Sequence, residues 1–288
     1  MMFFKILKYY FKKERVNLQI HYAFLTGGGF ILGIIRENIS IKNMDFLKFF
    51  ITILIILIAF YSSLSFNDIY DYPGDIEVGK KTPLTQGYVK RKNYLLYGIL
   101  LVFLSLIFSF FLGPYPFLIM FSLHILHLLY SIPPLRLKRI FPLSLFILSL
   151  AALLSCLFGF SVIAERNPFK IFPFKLYLIF ILAFPFAMNF RDVLDLKGDK
   201  IQGVKTLAVI VGERKAPLFG GISLFITYIF VAVILSKPIF LILSIIAGIL
   251  SIAFSIKKNY DETPLFFIYF SYLIIFILII YLNPKYLF

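Results

Sequence analysis

Charge is scarce in this chain. Only 15% of its 288 residues are Asp, Glu, Lys or Arg, while 61% are hydrophobic. A soluble globular domain carries about 25% charged residues, so the composition excludes that class and marks an integral membrane protein. Cysteine is almost absent. The single Cys156 lies inside an apolar run, which excludes an intramolecular disulfide and any multi-cysteine metal site. Histidine is limited to His21, His124 and His127. The last two have the i, i+3 spacing of a shared metal site, but their helix offers no acidic partner, so packing or hydrogen bonding is the expected role. Acids are few as well, 14 against 29 Lys and Arg, for a net charge of +15. In a membrane protein that excess reflects basic loops facing anionic lipid, not a nucleic-acid partner. No signal-peptide pattern opens the chain: the basic stretch Met1 to Arg15 leads into an apolar run without a small-residue cleavage site.

Long apolar runs are what the chain does have. A spanning helix needs about 17–25 mostly apolar residues. Nine runs qualify, at roughly 17–35, 46–66, 94–112, 114–131, 140–164, 172–190, 216–235, 238–256 and 264–283. They are continuous rather than alternating, which excludes a strand barrel. Gly113-Pro114-Tyr115-Pro116 and Ser236-Lys237-Pro238 are tight turns between neighbouring spans. The expected fold is therefore all-α: a polytopic bundle of about nine transmembrane helices around a central cavity, with residues 1–288 forming a single integral-membrane domain. Nine crossings put the termini on opposite sides, and 21 of the 29 Lys and Arg residues then fall on the N-terminal side. The positive-inside bias makes that side cytoplasmic and the cell membrane the expected location.

The acids are concentrated. Asn67-Asp68-Ile69-Tyr70-Asp71-Tyr72-Pro73-Gly74-Asp75 follows the second span, and Arg191-Asp192-Val193-Leu194-Asp195-Leu196-Lys197-Gly198-Asp199 follows the sixth. Both runs fall on the N-terminal side. If the second helix continues through the first run, Asn67, Asp71 and Asp75 share one face at i, i+4, i+8; a break at Pro73-Gly74 would displace Asp75 from it. In the second run Asp192, Asp195 and Asp199 share a face at i, i+3, i+7. Carboxylates beside hydrocarbon are costly unless something positive neutralises them. Oxygen donors from two helices suit Mg²⁺, which keeps waters and shares its shell with substrate phosphates. The plain alternative, solvated charges at helix ends, explains one run better than two runs with matched spacing.

Basic residues lie among the acids. Lys80, Lys81, Arg136, Lys138, Arg139, Arg191, Lys197 and Lys205 are candidates for holding phosphate oxygens. Lys138 is preferred, because Tyr130-Ser131-Ile132-Pro133-Pro134 makes a rigid turn ahead of it. Gly27-Gly28-Gly29 in the first helix fits close helix contact better than phosphate binding.

At these residues the chain resembles the UbiA family of intramembrane prenyltransferases. Asn67, Asp68, Asp71 and Asp75 match the family's first motif, N-D-x-x-D-x-x-x-D. Asp192, Asp195 and Asp199 match its second, followed by Gly203-Val204-Lys205-Thr206-Leu207 and Gly212. The Tyr130–Lys138 segment is also similar. Between the first motif and Gly87 the family's arginines are missing and lysines stand nearby, which bears on the acceptor and on part of the diphosphate contact.

The resemblance implies Mg²⁺-dependent transfer of a prenyl group from an isoprenyl diphosphate to an aromatic (quinone-precursor) or glycerol-phosphate acceptor, with release of pyrophosphate. It implies two Mg²⁺ ions on Asn67, Asp68, Asp71, Asp75, Asp192, Asp195 and Asp199. Asp71, Asp195 and Lys138 would be catalytic. Asn67, Tyr130, Ser131 and the basic residues named above would bind substrate, and membrane lipid would surround the isoprenoid tail. The competing expectation is a transporter of a divalent cation or a phosphate compound. Transporters place ionisable groups near the midplane of broken helices, whereas these acids sit at span ends. A membrane alcohol phosphotransferase would need a D-G-x-x-A-R string, which this sequence lacks.

Overall fold

A computed structural model describes residues 6, 9–11 and 13–288, without the side chains of 13 and 14. Lys5, Lys8 and Lys12, counted above among the N-terminal cations, lie outside the described residues, as does the side chain of Lys13. Every regular element among the described residues is helical. In order these are α1 (Lys13–Arg36), α2 (Phe46–Glu77), α3 (Arg91–Leu112), α4 (Pro114–Ser131), α5 (Leu143–Ile163), α6 (Phe174–Ala187), α7 (Asp192–Ile201), α8 (Leu207–Val211), α9 (Ala216–Leu235), α10 (Pro238–Ser255) and α11 (Thr263–Leu282), with a few short turns between. Eight of these are long and apolar enough to cross a bilayer, and α6 with α7 forms a ninth candidate bent by 70°. The expected spans map onto them in order, and the protein is an integral membrane protein.

Local chemistry sets the ends. The Asp45 carboxylate caps α2 by accepting from the Lys48 N–H at 2.9 Å. Gly113, at φ 131°, turns the chain into Pro114, the first residue of α4. Ser236 is left-handed at φ 54° where α9 stops, and Pro238 opens α10.

Two features of the helices leading into the acid runs go beyond the sequence reading. First, α2 does not break at Pro73 but continues to Glu77. A proline inside a helix removes one donor and crowds the preceding turn; here it falls in the last turn and a half, where little helix remains to be disrupted. Second, the sixth span is not one continuous helix. Its middle, Ile179–Ala183, is wound as a π turn, and Pro185 follows. Two carbonyls of this stretch receive side-chain donors. The Ser149 hydroxyl donates to the Phe180 carbonyl, and Thr227 Oγ1 donates to the Ala183 carbonyl at 3.3 Å. Irregular backbone at membrane depth persists only with such partners.

The chain forms two compact units. The first contains Met1–Leu137 and Leu154–Pro168. Here α1 crosses the second half of α5 at backbone contact. A Cβ on Gly29 would collide with the Cys156 carbonyl, and one on Gly159 with the Thr26 carbonyl. Thr26 Oγ1 also donates to the Ser155 carbonyl at 3.1 Å. The glycine run in α1 thus serves close helix contact, as expected. His124 bonds Ser105 Oγ at 2.7 Å, the structural role expected of it. The second unit contains Lys138–Leu153 and Phe169–Phe288. Its α9, α10 and α11 are joined by Ser244, which donates to the Tyr228 carbonyl at 2.7 Å and meets the Tyr272 hydroxyl at 3.0 Å.

Candidate active site

The first acid run forms the last two to three turns of α2. Because the helix continues, Asn67, Asp71 and Asp75 lie on one face. Asp71 and Asp75 are buried and Asn67 is half-buried. Asp68 points elsewhere, into a cage of phenols and one guanidinium. Its Oδ1 accepts from Arg15 Nη2 at 3.3 Å and from the Tyr9 hydroxyl at 3.5 Å; its Oδ2 accepts from the Tyr94 hydroxyl at 3.1 Å. Arg15 Nη2 also donates to the Tyr9 hydroxyl at 2.6 Å, and Tyr94 is bonded to Tyr10 at 3.1 Å. Burial, and after it the Asp68 charge, pushes the Tyr9 pKa up, which keeps this phenol a donor. Asp68 therefore ties α2 to α1, α3 and the segment before α1.

Asp71 has a different partner. Arg136 Nη2 lies 2.5 Å from its Oδ1, with both side chains close to nine-tenths buried. Arg136 itself is held at φ 38°, a left-handed conformation that costs a non-glycine residue energy and gathers at functional sites. The Tyr130–Lys138 segment thus delivers the Arg136 guanidinium to the first acid run. Lys138, the preferred residue, is buried in the short 137–139 turn, and Arg139 is exposed. Ser131 is buried and Tyr130 half-buried at the end of α4. Lys80 is half-buried and Lys81 exposed in the segment after α2.

The second acid run forms α7. Asp192, Asp195 and Asp199 are partly exposed on the expected common face. Arg191, just before the helix, reaches Asp195 Oδ2 with Nη2 at 3.7 Å and Glu262 Oε2 with Nε at 3.6 Å. The Tyr260 hydroxyl donates to the Phe190 carbonyl. Burial first, and the Glu262 charge second, raises the Tyr260 pKa. Lys197 and Lys205 are exposed. The glycine-rich string after α7 is explained by its turns: Gly203 and Gly212 take φ of 67° and 82°, and Thr206 Oγ1 caps α8 by accepting from the Val209 N–H at 3.3 Å.

Among the described residues, no three His, Cys, Asp or Glu side chains are gathered into a ready-made metal cage. The donor set still fits Mg²⁺. That ion is held by one or two carboxylates together with waters and substrate phosphates, not by a dedicated protein cage. An arginine stands at a carboxylate oxygen of each run, Arg136 on Asp71 and Arg191 on Asp195, in the place of a cation.

Five residues of these arrangements carry no signal in the sequence reading. Tyr9, Arg15 and Tyr94 lie 59, 53 and 26 positions from Asp68, and Tyr260 lies 70 from Phe190. Glu262 carries none either, being one of two adjacent acids in a connection that also holds Lys257 and Lys258.

The chain is 26% identical over 213 residues to a digeranylgeranylglyceryl phosphate synthase of Pyrococcus horikoshii, covering 73% of this chain and 72% of the relative. It is 30% identical over 177 residues to the enzyme of the same name from Sulfolobus acidocaldarius, covering 61% and 62%. A solved UbiA homologue from Archaeoglobus fulgidus, bound to DMAPP and Mg²⁺, has the same fold, with a TM-score of 0.68 at 19% identity over 94% of this chain and 96% of that one. The UbiA prenyltransferase family profile matches residues 40–274, a stretch that contains both acid helices and the Arg136 turn. The chain belongs to the UbiA prenyltransferase family.

Proposed function

We propose that this protein transfers a prenyl group from an isoprenyl diphosphate to the hydroxyl of a prenylated glycerol phosphate. The observation that carries the reading is the pair of acid helices, each with an arginine on a carboxylate that a metal–diphosphate head would take over. The glycerol-phosphate acceptor, rather than an aromatic one, follows from the relatives, which are digeranylgeranylglyceryl phosphate synthases. Family membership removes the transporter alternative. Residues 1–288 work as one catalytic domain in this reading, since a single family profile spans both acid runs. The excess of cations, 21 of 29, on the N-terminal side supports a cell-membrane enzyme with its N-terminus and acid runs cytoplasmic.

Asn67, Asp71 and Asp75 on α2, and Asp192, Asp195 and Asp199 on α7, would hold two Mg²⁺ ions. Bound Mg²⁺ supplies positive charge to the diphosphate and eases departure of the leaving group. Asp68 serves instead as the anchor of α2, because Arg15, Tyr9 and Tyr94 already occupy its oxygens. Arg136, held at Asp71 by a constrained backbone, would be placed to donate to a diphosphate oxygen. Lys138, Lys80 and Arg191 add positive charge for the same head. The allylic C–O bond breaks and its electron pair leaves with pyrophosphate. The acceptor hydroxyl forms the new ether bond and passes its proton to the departing pyrophosphate. The apolar spans shield the allyl cation from water.

The test is to incubate purified protein with prenyl diphosphates of several lengths and with prenylglycerol phosphate or aromatic acids, with and without Mg²⁺, and to identify products by mass spectrometry. A Mg²⁺-dependent ether product is expected. Product only with aromatic acids would replace the acceptor, and absence of Mg²⁺-dependent pyrophosphate release would overturn the reading.

A further inference from the structure

The second acid helix has an origin that its own sequence does not fix. Between the end of α6 and the start of α7 the chain bends by 70° through residues 188–191. Carbonyls at such a break lack their helical donors, and the angle of the following helix is free unless something holds the bend. The segment between α10 and α11, residues 256–262, holds it at two adjacent residues. The Tyr260 hydroxyl donates to the carbonyl of Phe190. Glu262, only 4% exposed, stands 3.6 Å from Nε of Arg191, whose Nη2 is 3.7 Å from Asp195. The segment is itself secured at its C-terminal end, because Asp261 Oδ1 accepts from the Thr263 N–H at 2.9 Å and the Thr263 hydroxyl at 2.7 Å. The bend is also seated from below. Phe190 packs edge-on against Phe266 of α11 at 4.9 Å, and Gly220 of α9 admits its backbone, since a Cβ there would lie 2.9 Å from Phe190 Cα.

We infer that Tyr260 and Glu262 are positioning residues for α7: they fix the angle at which it leaves the bend and so the placement of Asp192, Asp195 and Asp199 toward magnesium diphosphate. This rests on the function proposed above. Neither residue touches the reacting atoms. Glu262 acts by holding Nε of Arg191 while Nη2 of the same guanidinium steadies Asp195 in the first turn of α7. Displacement of such a group by about 1 Å is enough to cost on the order of 100-fold in rate.

Two variants of the full protein test this, Tyr260→Phe, which keeps the ring and removes the donor, and Glu262→Gln, which keeps the shape and removes the charge. Hydrogen exchange is followed along the chain, and the Mg²⁺ concentration for half-maximal pyrophosphate release is measured beside it. Both variants are expected to exchange faster across 192–201 while α9 is unchanged, and to need about tenfold more Mg²⁺, with an unaltered KM for the acceptor. Lys257→Ala, on the same segment but outside these contacts, should match the wild type in both. Wild-type exchange across 192–201 in both variants overturns the inference, and so does faster exchange throughout the chain, which would make the segment a general stabiliser. Unchanged Mg²⁺ demand despite looser α7 also overturns it. If the wild type releases no pyrophosphate at all, the proposed function fails by itself, and the exchange data still decide whether the segment holds α7.

Discussion

Arg136 is predicted to carry a measurable backbone strain that exists only to place its guanidinium. The perturbation is a pair of substitutions, Arg136→Ala and Arg136→Gly. Both delete an ion pair of 2.5 Å whose side chains are 12% and 9% exposed. Breaking a buried pair costs about 3–5 kcal/mol, and partial exposure puts this one near 3 kcal/mol. The two variants part at the backbone. At φ 38° an alanine keeps the left-handed penalty of about 1–2 kcal/mol, and glycine has none. Glycine gives back about 0.4–1 kcal/mol through a freer unfolded chain. The Gly variant should therefore be more stable than the Ala variant by about 1 kcal/mol, or about 2–4 °C in melting temperature for a chain of this size. Cys156 is the only thiol and is buried, so its reaction with a maleimide dye on heating reports unfolding directly. Pyrophosphate release should fall about 10²–10³-fold in both variants alike, the usual loss for one donor to a developing negative charge. Equal melting of the two variants would refute the strain argument. Activity within threefold of wild type in either would refute the role of the guanidinium.

Other outcomes follow from the same geometry. Asp71→Asn and Asp195→Asn should each lower Mg²⁺-dependent pyrophosphate release by at least about 10³-fold, as expected for lost ligands of a catalytic cation. Asp68→Asn should behave differently: it loosens the bonds to Arg15, Tyr9 and Tyr94, each at least about 1 kcal/mol, and lowers the melting temperature, while the Mg²⁺ requirement stays within about twofold. A shift in Mg²⁺ demand as large as that of Asp71→Asn would make Asp68 a ligand. Gly29→Val should destabilise the protein by about 1–3 kcal/mol or more through overpacking, because its side chain has to enter the Cys156 carbonyl; a normal melting curve would mean the two helices are not in backbone contact.

How much of this was legible depended on whether the controlling chemistry was local. The bounds of α4 and α9 agree with the sequence reading residue for residue, because Gly113-Pro114 and Ser236-Lys237-Pro238 decide them within a few positions. The three acids of α7 share a face as their spacing required. The π turn of α6 was not legible, because what stabilises it comes from elsewhere: Ser149 and Thr227 reach its carbonyls from α5 and α9. Pro73 read as a possible helix end, and the structure shows a proline tolerated where a helix is about to finish. The proline pair drew the sequence reading to Lys138, and Arg136 was one candidate cation among eight. Left-handed backbone at Arg136 depends on the whole turn, and no residue type in that turn announces it.

Arginine at both acid runs has a further consequence for a protein in a membrane. A carboxylate beside hydrocarbon cannot wait bare for its metal, since uncompensated charge there is costly. Protonation would neutralise it but would remove the ligand. An arginine neutralises it and keeps it ionised, and an exchange of partners then costs less than ionising a buried acid. Asp71 with Arg136 and Asp195 with Arg191 are arranged in this way. Asp68 is neutralised too, but by one arginine and two phenols acting together. An incoming cation would have to displace Arg15, Tyr9 and Tyr94 together. Asp68 is thus bound to α1, α3 and the segment before α1 at once, which suits an anchor. On this ground we propose Asn67, Asp71 and Asp75 as the functional face of α2 and Asp68 as its anchor.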